Sequence, residues 1–231
     1  MKKDQQEQLL KVVRDNYREI ATQFDATRKK YLWPELQKIL NSLTNDCWLL
    51  DVGCGNGRLI ENLKNKKINY LGVDSSAELI KLAIANYPGY SFKLGDVLKL
   101  TAVTEQRFDL VISVAVLHHL PSKELRLEAL KQLKERTKAG GQIIFSVWKL
   151  WPNKKYQKYL WRSFFKKITL RSQLDFGDIL FPWKNNQGEA VSERYYHVFT
   201  KRGLKNLVKS AGFKNFKLSD DGYNYWVIIK E

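Results

Sequence analysis

Three glycines at alternate positions, Gly53, Gly55 and Gly57, stand directly behind an apolar run that carries one acid, Leu49-Leu50-Asp51-Val52. No other feature restricts the fold as much. The run from Cys47 to Val52 reads as a buried strand. A helical pattern then begins at Asn56, with Leu59, Ile60 and Leu63 on one face. Glycine removes Cβ, so backbone amides at the head of that helix can come close to a ligand. A dinucleotide fingerprint would place its last glycine one residue later, and the present spacing suits a nucleoside ligand without a pyrophosphate. Asp51, at the end of the strand, can accept hydrogen bonds from a cationic or amine group.

The strand-acid pattern recurs. Ile68 to Val73 is apolar and ends in Asp74, about where a ribose diol is read. Tyr90 to Leu94 leads into Gly95-Asp96, and Phe108 to Ser113 makes a fourth strand, followed by Val114-Ala115-Val116-Leu117-His118-His119. Asp51, Asp74 and Asp96 thereby line one carboxyl edge, where open α/β sheets bind ligands. Helical stretches fill the intervals: one capped by Ser75 or Ser76, one opening at Pro121-Ser122, and one capped by Thr200 that stops at Ala211-Gly212. Gln142 to Trp148 gives a fifth strand, and Phe213–Leu218 with Tyr223–Ile229 a closing antiparallel hairpin. The expected fold is α/β: a Rossmann-like, seven-stranded, mostly parallel sheet with helices on both faces. Residues 46–231 form that domain. Residues 1–45, with an amphipathic helix over 4–24 and a second from Trp33 or Pro34 to Leu43, form a helical leader.

Residues 149–193 break the rhythm as an insertion after strand 5, with basic helix over roughly 153–170 and then a turn-rich stretch. The chain carries a net charge of +16, and its distribution is uneven: residues 149–217 hold 16 bases against 4 acids. The same segment holds Trp148's neighbours Trp151, Tyr156, Tyr159, Trp161, Phe164, Phe165, Trp183, Tyr195 and Tyr196. Bases interleaved with aromatics fit a surface that follows phosphates and stacks on bases, so segment 149–217 is the expected nucleic-acid contact. Two cysteines, Cys47 and Cys54, are too few for a disulfide framework and read as reduced thiols of a cytoplasmic protein. No apolar run approaches the ~20 residues that span a bilayer, and no signal peptide or membrane association is expected. His118, His119 and His197 do not follow a metal-ligand spacing, so no metal is expected. Asp109 lies inside the fourth strand, which favours a structural role.

Taken together, the glycine loop and the three strand-end acids resemble the class I S-adenosylmethionine-dependent methyltransferases. In that family the loop holds the methionine part, the second acid the ribose hydroxyls, and the third faces the adenine amine. The resemblance therefore assigns the cofactor to Asp51, Gly53, Gly55, Gly57, Asp74 with Ser75, Asp96 with Val97, and Ser113. It also implies that the leader folds over the cofactor as a lid, bringing Tyr17 and Arg28; either Arg28 or Arg58 meets the cofactor carboxylate. Four stretches are similar to one subfamily, the tRNA methyltransferases that esterify the carboxymethyl group on wobble uridine. They are Tyr17–Ala21 with Thr27-Arg28, Ile112–His119, Ser146-Val147-Trp148 with Phe181-Pro182-Trp183-Lys184, and Arg194-Tyr195-Tyr196-His197-Val198-Phe199. The resemblance implies tRNA as substrate and a small activating protein subunit as a candidate partner.

The residues support an ester-forming chemistry from another side. A hydroxyl or amine nucleophile calls for a general base, yet the positions after the fourth strand offer only Ser113, His118 and His119. A carboxylate, which ordinarily titrates near pH ~4, is already ionised and needs orientation alone. Arg194, Tyr195 and His197 supply the cation and donors for that, and one of His118 and His119 lines the substrate pocket, His118 being the candidate, while the other caps or packs. Strand alternation would set Arg194 and Tyr196 on one face and Tyr195 and His197 on the other, so both sets reach the site only if the segment is irregular. The alternatives are a methyltransferase of a small carboxylic acid or phenol, and a non-catalytic RNA-binding subunit of the same fold.

Overall fold

A computed structural model describes residues 1–28, 33–169, 174–184 and 189–231. Helix α1 (Lys3–Arg28) is followed by α2 (Pro34–Asn41), β1 (Trp48–Val52), β2 (Asn69–Asp74), α3 (Ala77–Asn86), β3 (Ser91–Leu94) and the short α4 (Leu100–Val103). Then come β4 (Phe108–Val114), α5 (Lys123–Glu135), β5 (Thr137–Trp148), α6 (Lys154–Ile168), β6 (Asp178–Lys184), β7 (Ala190–His197), α7 (Lys201–Ser210), β8 (Phe216–Asp220) and β9 (Asn224–Lys230).

Seven strands form one sheet in the order β3-β2-β1-β4-β5-β9-β8. The first five pair in parallel, and β9 turns the sheet antiparallel against both β5 and β8. The central strands are apolar on both faces because helices cover both. Leu50, Val111 and Ile143 pack one way, with Leu130 and Leu133 of α5 and Leu204 of α7. Their neighbours Leu49, Ile112 and Ile144 pack the other way, with Leu36 and Leu40 of α2 and Trp226. Each such fully buried side chain contributes ~1.5–3 kcal/mol. The expected caps form: Ser76 accepts from the Leu79 amide, Ser122 from Leu125 and Thr200 from Gly203.

Two expectations change. The helix foreseen from Asn56 is a five-residue 3-10 helix, Arg58–Asn62. Only Leu59, Ile60 and Leu63 supply apolar anchorage, and Lys66 is tied back to the carbonyls of Asn41 and Leu43. No α-helix dipole therefore stands behind the glycine loop. The turn-rich stretch after α6 is instead a two-stranded antiparallel sheet, with Phe181 opposite Arg194 and Ile179 opposite Tyr196. It runs through His197, past the expected limit of the insertion at residue 193. This hairpin and α6 share a third apolar cluster, Leu150, Ile179, Phe181, Tyr196 and Val198, with Tyr156, Tyr159 and Leu160 against it. Asp109 is structural: it accepts from the Trp48 amide at 2.9 Å and from Lys138 Nζ at 2.9 Å.

Candidate active site

β1 and β4 are neighbours in the sheet but their following segments leave in opposite directions, so a crevice opens beyond their carboxyl ends. A cavity of 480 Å³ lies there. Asp51 sits at its base, fully buried, with the Tyr70 hydroxyl donating to Oδ2 at 2.9 Å. Burial pushes the Asp51 carboxyl up to about 7, with the Tyr70 hydrogen bond and the Arg58 charge opposing. Asp74 accepts from the Gly55 and Ser76 amides, each at 2.9 Å, and burial raises its carboxyl despite those bonds. Asp96 caps the next turn by accepting from the Leu98 amide at 3.0 Å. Asp51, Gly53, Gly55, Asp74, Ser75, Asp96, Val97 and Tyr17 all line the cavity.

The glycine loop is built for close approach. Gly53 has φ +77, and a Cβ on it would lie 2.2 Å from Cγ2 of Val116 in the segment after β4. A Cβ on Gly55, at φ +57, would meet the Phe24 ring of α1 at 3.3 Å. Gly57 does not line the cavity; it backs onto Tyr87 and Phe92. Ser113 is also set back, fully buried, its Oγ without a hydrogen-bond partner among the described residues. Arg58 lines the cavity with its guanidinium 4.6 Å from the centre of the Trp33 ring. The side chain of Arg28 lies outside the described residues.

Helix α1 makes one wall of the cavity and joins its two ends. At one end Asp25 accepts from Asn56 of the glycine loop at 2.9 Å and from Asn86 of α3 at 3.1 Å. At the other, Asn16 donates to Ser192 at 2.7 Å, and the Trp183 indole donates to Gln23 at 3.3 Å. Between them Tyr17 and His119 share a hydrogen bond, hydroxyl to Nε2, at 2.8 Å.

The far wall is the β6–β7 hairpin. Arg194 is only 8% exposed, and its guanidinium carbon lies over the Trp183 ring, 3.4 Å from the centre. Its Nε is buried without a hydrogen-bond partner, and no carboxylate among the described residues makes an ion pair with it. Tyr196 stacks between Trp148 (5.1 Å) and Phe181 (5.2 Å) and lines the cavity beside His119. Burial, reinforced by the Arg194 charge, pushes the His119 imidazole down to about 3.

The strand alternates regularly, and that relocates two expected catalytic residues, while a third, His118, is set back in the turn after β4. Tyr195 and His197 face away from the cavity. His197 Nδ1 lies 2.7 Å from Oδ1 of the fully buried Asp178, whose other oxygen accepts from the Asp175 amide at 3.0 Å. Burial lowers the His197 imidazole, with Asp178 opposing. Burial and the Asp178 charge hold the Tyr195 phenol well above its usual range. His118 lies behind His119, completely buried, its Nδ1 accepting from the Trp148 amide at 3.3 Å, and burial holds it far below its usual value. Arg194 alone of the four expected residues reaches the cavity, joined there by His119, Tyr196, Trp148 and Trp183. The alternation along Arg194-Tyr195-Tyr196-His197 was the signal for Tyr196; nothing in the sequence separates His119 from His118.

These residues fit S-adenosylmethionine. The cavity is large enough for a nucleoside with an amino-acid arm. Asp51 offers a buried carboxylate to an ammonium, and Gly53 and Gly55 line the cavity with backbone that bears no side chain. Asp74 and Asp96 offer acceptors at successive strand ends. Known proteins point the same way. A family profile described as a methyltransferase domain matches residues 24–218. The chain is 31% identical, over 93% of its length and 94% of the relative's, to the tRNA (carboxymethyluridine(34)-5-O)-methyltransferase of Schizosaccharomyces pombe. It is 36% identical, over 58% of its length and 47% of the relative's, to the Saccharomyces cerevisiae protein of the same name. Among solved structures, a SAM-dependent methyltransferase of Methanosarcina mazei shares the fold with a TM-score of 0.67 at 22% identity, covering 87% of this chain and 99% of that one. The chain belongs to the S-adenosylmethionine-dependent methyltransferases, in the family of the tRNA wobble-uridine carboxymethyl methyltransferases.

Proposed function

We propose that the protein methylates tRNA, esterifying the carboxylate of a 5-carboxymethyl-type uridine at the wobble position. One observation carries the reading: the cavity with the cofactor acids also holds a buried guanidinium, Arg194, that no acid among the described residues pairs. A buried cation is costly unless an anion meets it, and a substrate carboxylate supplies that anion. The Trp183 ring covers the guanidinium of Arg194 from one side, and its N–H groups are suited to orient the two carboxylate oxygens. Tyr196, stacked against Trp148, offers a flat wall for the pyrimidine.

When bound, S-adenosylmethionine supplies a methyl group on a sulfonium, open to in-line displacement by an oxygen nucleophile. The residues of this chain then align rather than activate. His119, with its imidazole pushed down to about 3, is far too weak a base to deprotonate a hydroxyl. Asp51, Asp74 and Asp96 are committed to the cofactor end. The nucleophile must therefore arrive ionised, as a carboxylate does at neutral pH. The relatives' names give the same substrate. The basic-aromatic segment 149–217 docks the tRNA, and a small activating protein subunit is a further candidate partner.

Incubation with methyl-labelled cofactor and two tRNA pools, one bearing carboxymethyluridine and one lacking it, tests the reading. Label in the first pool alone is expected. Equal labelling of both pools, or transfer to small carboxylic acids with none to tRNA, rejects it.

A further inference from the structure

Helix α6 carries two apolar faces. Inward, Tyr156, Tyr159 and Leu160 pack on the hairpin cluster. Outward, Trp161, Phe165 and Ile168 are each more than half exposed and Phe164 is 40% exposed. At 100° per residue these four fall on a single stripe, and Lys155, Lys158, Arg162 and Lys166 occupy the arc beside it. The helix has six bases and no acid. Its rings touch one another, Trp161 to Phe164 at 5.9 Å and Phe164 to Phe165 at 5.8 Å, and Phe164 continues to Phe176 at 5.9 Å.

Phe176 and Trp151, both more than half exposed, border a second hollow of 400 Å³ that also contains Lys123 and Arg126. Of the ten large hydrophobic side chains exposed among the described residues, six belong to this one surface. Single exposed apolar residues are ordinary, but a contiguous aromatic stripe marks a contact.

We propose that the outward face of α6 is a docking site for single-stranded RNA, the loop nucleotides that flank the methylated base. The proposal rests on the tRNA reading above. The rings stack on bases, the adjoining basic side chains of the helix take the phosphates, and the exposed Lys123 extends that track to the second hollow. Charge selects the occupant: a basic arc with no acid repels a second copy of the same face and attracts a polyanion. Position selects RNA over a lipid surface. Tyr156 packs on Phe181 at 5.2 Å, Phe181 stacks on Tyr196 at 5.2 Å, and Tyr196 lines the cavity. The stripe thus stands behind the wall that receives the target base, separated from it by the Phe181 layer and one helix diameter of ~10–12 Å.

The test uses the double variant Trp161→Ala/Phe165→Ala, whose side chains are exposed, with Lys158→Ala/Arg162→Ala as its electrostatic counterpart. Affinity for a fluorescent anticodon stem-loop RNA is measured across salt concentrations, together with S-adenosylmethionine affinity, the melting temperature and binding to vesicles of phosphatidylcholine and phosphatidylserine. The aromatic variant is expected to lose roughly tenfold or more in RNA affinity at every salt concentration, with an unaltered salt slope. The basic variant is expected to show a shallower slope. Both are expected to keep cofactor affinity and melting temperature. Unchanged RNA affinity in the aromatic variant overturns the proposal, and so does a loss confined to vesicle binding or to self-association. Failure of the wild-type protein to bind or methylate any tRNA, with transfer to a small carboxylate intact, defeats the functional reading instead.

Discussion

Four consecutive residues of β7 divide into two environments with opposite logic. Arg194 and Tyr196 face the cavity, where the guanidinium is buried with no ion pair among the described residues and the ring forms part of an open wall. Tyr195 and His197 face the other way, where the fully buried Asp178 meets the imidazole and the Tyr195 hydroxyl is buried without a hydrogen-bond partner among the described residues. Both faces are aromatic, basic and buried, so composition does not separate them. Charge pairing does. On the back face Asp178 meets the imidazole, whereas the front leaves a buried guanidinium with no ion pair among the described residues, and a site for an anionic ligand is recognised by the buried charge it leaves unpaired.

The largest effect expected from breaking this contrast is on stability. Asp178→Ala removes two charge-assisted hydrogen bonds, from His197 and from the Asp175 amide, and should cost roughly 3 kcal/mol or more in denaturant unfolding. Cofactor affinity of the folded protein should stay intact. A stable Asp178→Ala variant with crippled turnover would transfer catalysis to the back face. Arg194→Ala should do the reverse, lowering kcat/KM on tRNA by roughly tenfold to a hundredfold, about 1.5–3 kcal/mol, at unchanged melting temperature. Arg194→Lys should recover part of that, since it restores charge without the fork.

A third variable isolates the cofactor end. The Asp51 carboxyl is raised to about 7, so the folded, cofactor-free protein holds a proton there that the unfolded chain has released by about pH 5. Stability should therefore fall as pH rises from about 4 to about 7, and Asp51→Asn should flatten that slope. S-adenosylmethionine affinity should change the other way. A cationic arm favours the ionised carboxylate, so affinity should drop by up to roughly tenfold per unit below about pH 7, as read by calorimetry. Arg194→Ala should not move that profile. The smallest effect belongs to the wall that joins the ends: Tyr17→Phe should cost about 1 kcal/mol, several-fold in turnover, by leaving His119 Nε2 unpaired in the cavity.

What could be read from the sequence followed from periodicity. The apolar strands, their terminal acids and the capping Ser76, Ser122 and Thr200 are local signals, and the seven-stranded sheet and the cavity floor of Asp51, Asp74 and Asp96 were legible from them. The β6–β7 hairpin was not. Phe181-Pro182-Trp183-Lys184 carries a proline and reads as a turn, yet as one member of an isolated two-stranded sheet it needs no partner beyond β7. The candidacy of Arg194 came through a motif, but the placing of Tyr196 rather than Tyr195, and of His119 rather than His118, at the cavity required knowing which side of β7 and of the turn after β4 meets it. That is tertiary information. The Asp25–Asn56 and Gln23–Trp183 bonds, which join residues far apart in the chain, left no trace in sequence spacing.

The central claim is that the oxygen methylated is a carboxylate held by Arg194. Methyl esters differ from methyl ethers and methylamines in one decisive way, since mild alkali cleaves them. tRNA labelled by the protein with a radioactive methyl group should be digested to nucleosides and exposed to dilute base. The account predicts that the label leaves as volatile methanol and that the acid form of the nucleoside reappears, with Arg194→Ala slowing formation of this product alone. Label that stays on the nucleoside through alkali would place the methyl group on another atom and contradict the account.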